Sequence, residues 1–374
     1  MNVPKLRFKE FNDEWNLIRL GDCCNLITKG TTPNRFSESG IKFIKIESLI
    51  NKKIDNNKCL YVDEKTHITS LKRSVLEEKD VLFAIAGATI GKCGIIEKEN
   101  LPSNTNQALA ILRTNPKKLN PYFLLNVLDS NIMKKYILLN ISVGAQPNLN
   151  LEQMNNFKFK LPSKEEQLKV ANFLSLLDKK IELQSKKIED LKLFKLSIKN
   201  NIFKSFDKEQ KMSIEELLEF EQPIKYIVKS EEYTDNRDDI PVLTANKAFI
   251  LGYCKEGNFY NKECIIFDDF TLDMKYVNFA FKVKSSAIKI LTPKENINIK
   301  YIYEYMQFLN LHSEEHKRHY ISIVQKIQIP VPIFKIQNKI ATQLNCFDSK
   351  IELENNKLLK LTELKKGLMQ NMFV

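Results

Sequence analysis

One long segment, rich in Lys and Leu, occurs twice in this chain, and that repetition constrains the fold more than any other feature. The first copy, LPSKEEQLKVANFLSLLDKKIELQSKKIEDLKLFKLSIKNNIF, begins at Leu161. The second, VPIFKIQNKIATQLNCFDSKIELENNKLLKLTELKKGLMQNMF, begins at Val331. They align without a gap: Pro162 with Pro332, Gln167 with Gln337, Asp178 with Asp348, Ile181 with Ile351, Lys195 with Lys365 and Phe203 with Phe373, each pair 170 residues apart. Each copy follows a block of different sequence, so the chain reads block, helix, block, helix.

Both copies carry heptads. In the first, Leu174, Ile181, Ile188 and Ile202 share one seam position and Leu177, Leu191 and Ile198 the other. The second gives Leu344, Ile351, Leu358 and Met372 with Phe347, Leu361 and Leu368. Polar residues interrupt both seams at matching places, Gln184 with Glu354 and Lys195 with Lys365, and such residues commonly set register or orientation. A helix of about 40 residues is about 60 Å long, more than one globular domain usually covers. Two independent amphipathic helices remain the alternative. If the helices pair, chain order makes them antiparallel, because the first delivers the chain to the second block and the second leaves it.

The blocks resemble each other faintly. In the first, GIKFIKIESL alternates as a strand does, EEKDVLFAIAGATIGKCGII gives two apolar runs around a Gly-rich turn, and a helix starts at Pro121. In the second, IPVLTANKAF and KECIIFDDFTLDMKYVNF take the corresponding places. Ile111 and Leu112 precede Tyr122 at the spacing by which Ile290 and Leu291 precede Tyr301. The expected architecture is α+β: two globular domains, 1–160 and 207–330, separated by two long antiparallel helices, 161–206 and 331–374, in a pseudo-two-fold coiled coil. Leu174, Ile181, Ile188, Leu191, Leu344, Ile351, Leu358 and Leu361 are the residues expected to pair the helices and bind partners.

Charge narrows the partner. The 374 residues carry 58 Lys and Arg against 46 Asp and Glu, a net +12 that favours a polyanion such as nucleic acid, though a chain rich in Lys, Asn and Ile acquires part of that excess from composition. The seven cysteines are scattered without a C-x-x-C pair, which supports reduced thiols rather than disulfides or zinc. No apolar run reaches the roughly 20 residues of a membrane span, and MNVPKLRFKEFNDEW lacks a signal peptide's apolar stretch, so a cytoplasmic protein is expected.

The local motifs point to binding rather than catalysis. GATIGKC is one residue short of a phosphate-binding loop and has Cys93 where a hydroxyl is needed, so it reads as a turn with Thr89 and Lys92 facing solvent. Asp268, Asp269, Asp273 and Lys275 loosely resemble a metal-dependent nuclease, while Asp269 and Thr271 also suit contacts to base edges. His312, His316 and His319 do not form H-E-x-x-H; with Lys317, Arg318 and Tyr320 they read as a basic hydrogen-bonding surface or a solvated helix end. Asn106, Gln107, Gln146 and Asn246 offer amides that can bond adenine. The candidate DNA-contact set is Thr31, Lys45, Thr89, Lys92, Asn106, Gln107 and Gln146 in the first block and Thr244, Asn246, Lys247, Asp269, Thr271, Lys275, Lys317, Arg318 and Tyr320 in the second; no catalytic motif and no metal site is evident.

Together these features resemble the specificity subunit of type I restriction-modification systems. The resemblance covers nearly the whole chain: Trp15 followed by Leu20 and Gly21; Gly30, Thr31, Thr32 and Pro33; GATIGKCGI followed by Asn106 and Gln107; Gly144 with Gln146; and the helical repeat, its most specific part. It implies two target recognition domains, each reading half of a bipartite DNA sequence, with helices that bind two modification subunits. Those subunits would bring S-adenosylmethionine and methylate adenine N6, and restriction subunits, where present, would use ATP and magnesium. The second block lacks the Gly-x-Thr-Pro and Gly-x-Gln elements, so contacts cannot be carried over to it. A metal-dependent nuclease and a coiled-coil adaptor without a DNA role are the competing readings.

Overall fold

The computed structural model describes residues 3–141, 148–206, 209–246, 248–312 and 317–373. The chain divides into two compact units, Met1–Gln184 with Lys357–Val374, and Ser185–Asn356. The division falls inside the two long helices rather than at their ends, so each unit is one block plus part of the central helix (Lys164–Ser205) and part of the terminal helix (Phe334–Met372).

Each block is built on a four-stranded antiparallel sheet. Its order is Cys24–Lys29, Leu109–Thr114, Val81–Ala84, Cys93–Ile95 in the first unit, and Leu218–Glu221, Ile288–Pro293, Cys264–Asp268, Met274–Val277 in the second. A three-stranded sheet accompanies it. Ile41–Ile44 pairs antiparallel with Leu60–Val62 and parallel with Ser103–Thr105; Ile240–Leu243 likewise pairs with Ile250–Cys254 and with Lys282–Val283. The faint likeness between the blocks in sequence is thus a common topology.

The central strands of the main sheet are buried on both faces, which is why Val81–Ala84 and most of Cys264–Asp268 read as apolar runs. Val81, Phe83, Ala110 and Leu112 face the helix Pro121–Asp129 and its neighbours, while Leu82, Ala84, Leu109 and Ile111 face a second cluster with Ile44 and Leu49. In the second unit Ile265, Phe267 and Leu291 face the helix Ile299–Leu309, and Cys264, Ile266 and Ile290 point the other way. Asn120 and Asn298 cap these two helices, accepting from Tyr122 and Tyr301 respectively. The caps correct the sequence alignment by one residue: Tyr122 is the second residue of its helix and Tyr301 the third.

Two-stranded ribbons close the blocks. Asn16–Arg19 pairs with Lys158–Leu161, and Lys211–Ser213 with Gln328–Pro330, so each block ends beside its own beginning. At both places a buried glutamine near the start of a long helix fastens the block to it. Gln167 accepts from the Asn120 N–H (2.8 Å) and donates to the carbonyls of Lys118 and Pro162. Gln337 accepts from the Asn298 N–H (2.9 Å) and donates to the Pro332 carbonyl.

The long helices are antiparallel where they meet. Within the second unit Lys187 pairs with Glu354 (2.9 Å) and Lys195 with Asp348 (2.6 Å), so one helix ascends as the other descends. In the first unit Leu174 packs among Met369, Met372 and Phe373, and Asp178, one turn on, pairs with Lys365. Leu174 and Leu344 are fully buried and Ile188 nearly so; Ile181, Leu191, Ile351, Leu358 and Leu361 are half-buried. The seam read from the heptads is therefore the pairing face. The packing closes off Leu174, Ile188 and Leu344, whereas Leu183 and Leu353, equivalent positions off the seam, are exposed.

Candidate nucleic-acid interface

In the first unit two clusters of expected residues come to the surface. Gly30 passes so close under the neighbouring strand that a Cβ there would lie 2.0 Å from the Thr105 carbonyl oxygen, which explains why only glycine fits. Beyond it the Thr31 N–H donates to the Thr105 carbonyl (3.0 Å), and the Thr31 hydroxyl accepts from the Arg73 guanidinium (2.9 Å). The Thr32 hydroxyl donates to the Gln107 amide oxygen. Thr31, Thr32, Arg73 and Gln107 thus form one polar group, of which Arg73 went unread in the sequence. Asn106 is less available, since its side chain accepts from the Ala108 N–H.

The second cluster is the turn between Val81–Ala84 and Cys93–Ile95. Gly87 (φ 85°) and Gly91 (φ 93°) adopt the left-handed region that favours glycine. Thr89 is exposed at the tip, as expected. Lys92 is not free in solvent: its ammonium donates to the Ile46 carbonyl (3.1 Å), and the residue is half-buried. The Leu149 N–H bonds the Ile85 carbonyl (2.8 Å), which pins the following chain to this turn. Lys45 stands half-exposed with Glu47 3.9 Å away. Gln146 lies outside the described residues.

In the second unit the corresponding turn is built differently. Asp268 accepts from the N–H groups of Phe270 (2.9 Å) and Thr271 (3.0 Å), and the Thr271 hydroxyl donates to Asp273 (3.0 Å), leaving Thr271 exposed at the tip. Lys317 and Arg318 are exposed, and the Arg318 guanidinium lies over the Phe270 ring, 5.8 Å from its centre. Asn246 is exposed too, whereas Lys247 and His316 lie outside the described residues.

Three expected contacts are corrected by burial. Asp269 is 2% exposed and 3.3 Å from Lys289; Tyr320 is fully buried against Phe220 and Phe267; Thr244 is buried in a turn whose N–H bonds the Phe249 carbonyl. None presents its side chain to a ligand. His319 is buried as well, while the exposed His312 bonds the Asn310 carbonyl. Among the described residues no three His, Cys, Asp or Glu side chains are placed to hold a metal ion. The acidic set 268, 269 and 273 is spent on turn hydrogen bonds and an ion pair, which removes the structural basis of the nuclease reading.

Lys275 lines a cleft of about 420 Å³ with Lys195, Lys199 and Lys300. Here Glu304 receives Lys195 (2.8 Å), Lys300 (3.3 Å) and Lys199 (3.7 Å), and Asp348 bridges Lys195 and Lys300. Burial works against the Asp348 carboxylate, but its bonds to Lys195 and Lys300 outweigh it and hold its pKa below the ordinary value. At Lys199 burial wins and the pKa falls.

Two heads of one topology, each offering a turn and a pinned segment with different side chains, on paired helices, is the arrangement that known proteins match. The family model for the type I restriction modification DNA specificity domain matches residues 12–193 and again 204–363. The chain belongs to the type I restriction-modification specificity subunits. A putative specificity subunit, MjaX, from Methanocaldococcus jannaschii is 26% identical over 98% of this chain and 95% of its own. The EcoR124I/EcoR124II specificity subunit of Escherichia coli is 44% identical, but over only 31% of each chain. The crystal structure of an S subunit from M. genitalium has the same fold, with a TM-score of 0.67 at 16% identity over 100% of this chain and 99% of that one. Each family-model match to the specificity subunit spans a block and most of a long helix. No helix among its described residues is long and apolar enough to cross a membrane.

Proposed function

We propose that this specificity subunit reads an asymmetric, bipartite DNA sequence, one half with each block, and that its long helices scaffold two modification subunits in the cytoplasm. The observation that carries the proposal is the matched topology of two heads whose turns differ in chemistry: Thr89 between glycines in one, Thr271 beside Arg318 in the other. Phosphate contacts from Lys and Arg would position each head, and hydroxyls and amides would read base edges. The chain itself supplies no catalytic group in this reading. The modification subunits bring S-adenosylmethionine and transfer its methyl group to adenine N6, and restriction subunits, where the system has them, bring ATP and magnesium.

The helices' outer faces suit docking. Leu176, Leu183, Leu193, Leu353, Leu359 and Leu364 are each more than half exposed, outside the pairing seam, and Leu183 with Leu353 recurs at the repeat distance. Reconstitution with the modification subunits and mapping of methylated adenines tests the reading. Methylation at one two-part sequence is expected; methylation without sequence preference, or cleavage of DNA by the purified chain with magnesium alone, would overturn it.

A further inference from the structure

Asp269 is a charged residue that sequence places at a surface turn and the structure places inside. One carboxylate oxygen accepts two backbone N–H groups, from Tyr320 (2.8 Å) and His319 (3.1 Å), and the Asp269 carbonyl accepts the His319 N–H again (3.0 Å). The other oxygen faces Lys289 at 3.3 Å. That lysine is 1% exposed and lies under the Phe220 ring, 4.9 Å from its centre. The Tyr320 ring then packs against Phe267 and Phe220.

The result is a chain segment held by its backbone. His319 and Tyr320 point inward, while Lys317, Arg318, Ile321 and Ser322 remain exposed. The same carboxylate lies in the turn that carries Phe270 and Thr271, so it ties the two exposed strips of the second head together. At the equivalent place in the first head the Leu149 N–H bonds the Ile85 carbonyl, at an apolar residue. A buried ion pair is a costly way to stabilise a fold, since burying both charges offsets most of their attraction. Its distinct product here is geometry: two N–H groups fixed on one oxygen.

We propose that Asp269 is the positioning residue of the second reading head. It does not touch DNA; it fixes the 317–322 segment against the Phe270 and Thr271 turn, and sequence discrimination in the second half of the target depends on it. The inference rests on the assignment of the blocks as reading heads. It separates two roles that the sequence merges, since the carboxylate is the strut and Thr271, Lys317 and Arg318 are the groups it presents.

Two double variants isolate the strut from the ion pair. Asp269→Asn with Lys289→Met removes both charges and keeps an oxygen for the two N–H groups. Asp269→Ala with Lys289→Met removes both charges and the acceptor. Each is assembled with the modification subunits and assayed for methylation on the natural target and on targets altered in one half, below the melting temperature of each variant. The first should retain discrimination in both halves. The second should lose about tenfold in the second half, the scale of one base-pair mismatch, and keep the first within twofold. Equal discrimination by the two variants, or equal loss in both halves, would overturn the proposal. If the alanine variant leaves the unit unfolded, Asp269→Leu with Lys289→Met, which fills the space without an acceptor, takes its place. If the natural chain shows no preference in the second half, the reading-head assignment fails instead.

Discussion

Lys195 on the central helix donates to Asp348 on the terminal helix at 2.6 Å, and the repeat forms the same bond in its other copy, between Lys365 and Asp178. Each unit therefore carries one copy of a single antiparallel contact, with the donor and acceptor helices exchanged. Lys195, Lys365 and Glu354, polar residues that interrupt the heptads, each form an ion pair with the other helix and so pin the register of the pairing.

Removing such a pin strands its partners. Lys195→Met leaves Glu304 and Asp348 short of a donor; because the pair is partly solvated, the expected loss is about 2 kcal/mol rather than the full cost of breaking a buried pair. The single tryptophan, Trp15, lies in the first unit, so its fluorescence follows that unit whereas circular dichroism follows both. The dichroism midpoint in urea should fall and the fluorescence midpoint should move less.

The pH dependence follows from Asp348. Its pKa is depressed on folding, so its stabilising contribution is complete above the unfolded value of roughly 4 and is lost as pH falls through the lower folded value. The stability gap between the natural chain and Asp348→Asn should be constant from pH 7 to 5 and close below about pH 4. A gap that widened on acidification would contradict the assigned ion pair.

Gln167→Ala should destabilise the first unit by about 1–2 kcal/mol, because it takes the partner from the Asn120 N–H and from two carbonyls in a partly buried site. Gln337→Ala should do the same to the second unit, which Trp15 fluorescence will report only weakly. Thermal unfolding followed by both signals distinguishes the two.

Thiol reactivity should separate cleanly. Burial pushes the thiols of Cys93 and Cys264 up to about 12, whereas Cys346 is exposed on the terminal helix. Mass spectrometry after brief alkylation at pH 8 should find Cys346 modified first, with Cys93 and Cys264 protected until the chain is unfolded.

Exposed reading groups should act on one half of the target each. Thr89→Ala and Gln107→Ala are expected to change methylation preference in one half, and Thr271→Ala and Arg318→Ala in the other, with little change in stability because all four side chains are exposed. Loss of preference in both halves from any one of them would show that the heads do not read separately.

The helices were legible because their signal is local: a period of seven, polar breaks at matching positions and a second copy to check against. The shared sheet was legible in part, since strands buried on both faces leave short apolar runs, but their order depends on pairings far apart in sequence. Asp269 and Tyr320 misled for the same reason. A carboxylate in a turn and a tyrosine beside basic residues look like surface groups until the distant partner is known. The available signal lay elsewhere, in Lys289, a charge between the core residues Ile288 and Ile290. Arg73 had no signal at all, because it reaches Thr31 across 42 residues of sequence.

The ribbons that close each block have a consequence for ancestry. Where a domain's first and last strands are hydrogen-bonded to each other, the chain enters and leaves everything between them at one place. Recombination that trades the contents keeps the block fastened to its helix where the new contents again offer the backbone groups that Gln167 and Gln337 hold, those at 118 and 120 and at Asn298. Such a molecule can acquire a new target one half at a time, and the old scaffold need not adapt.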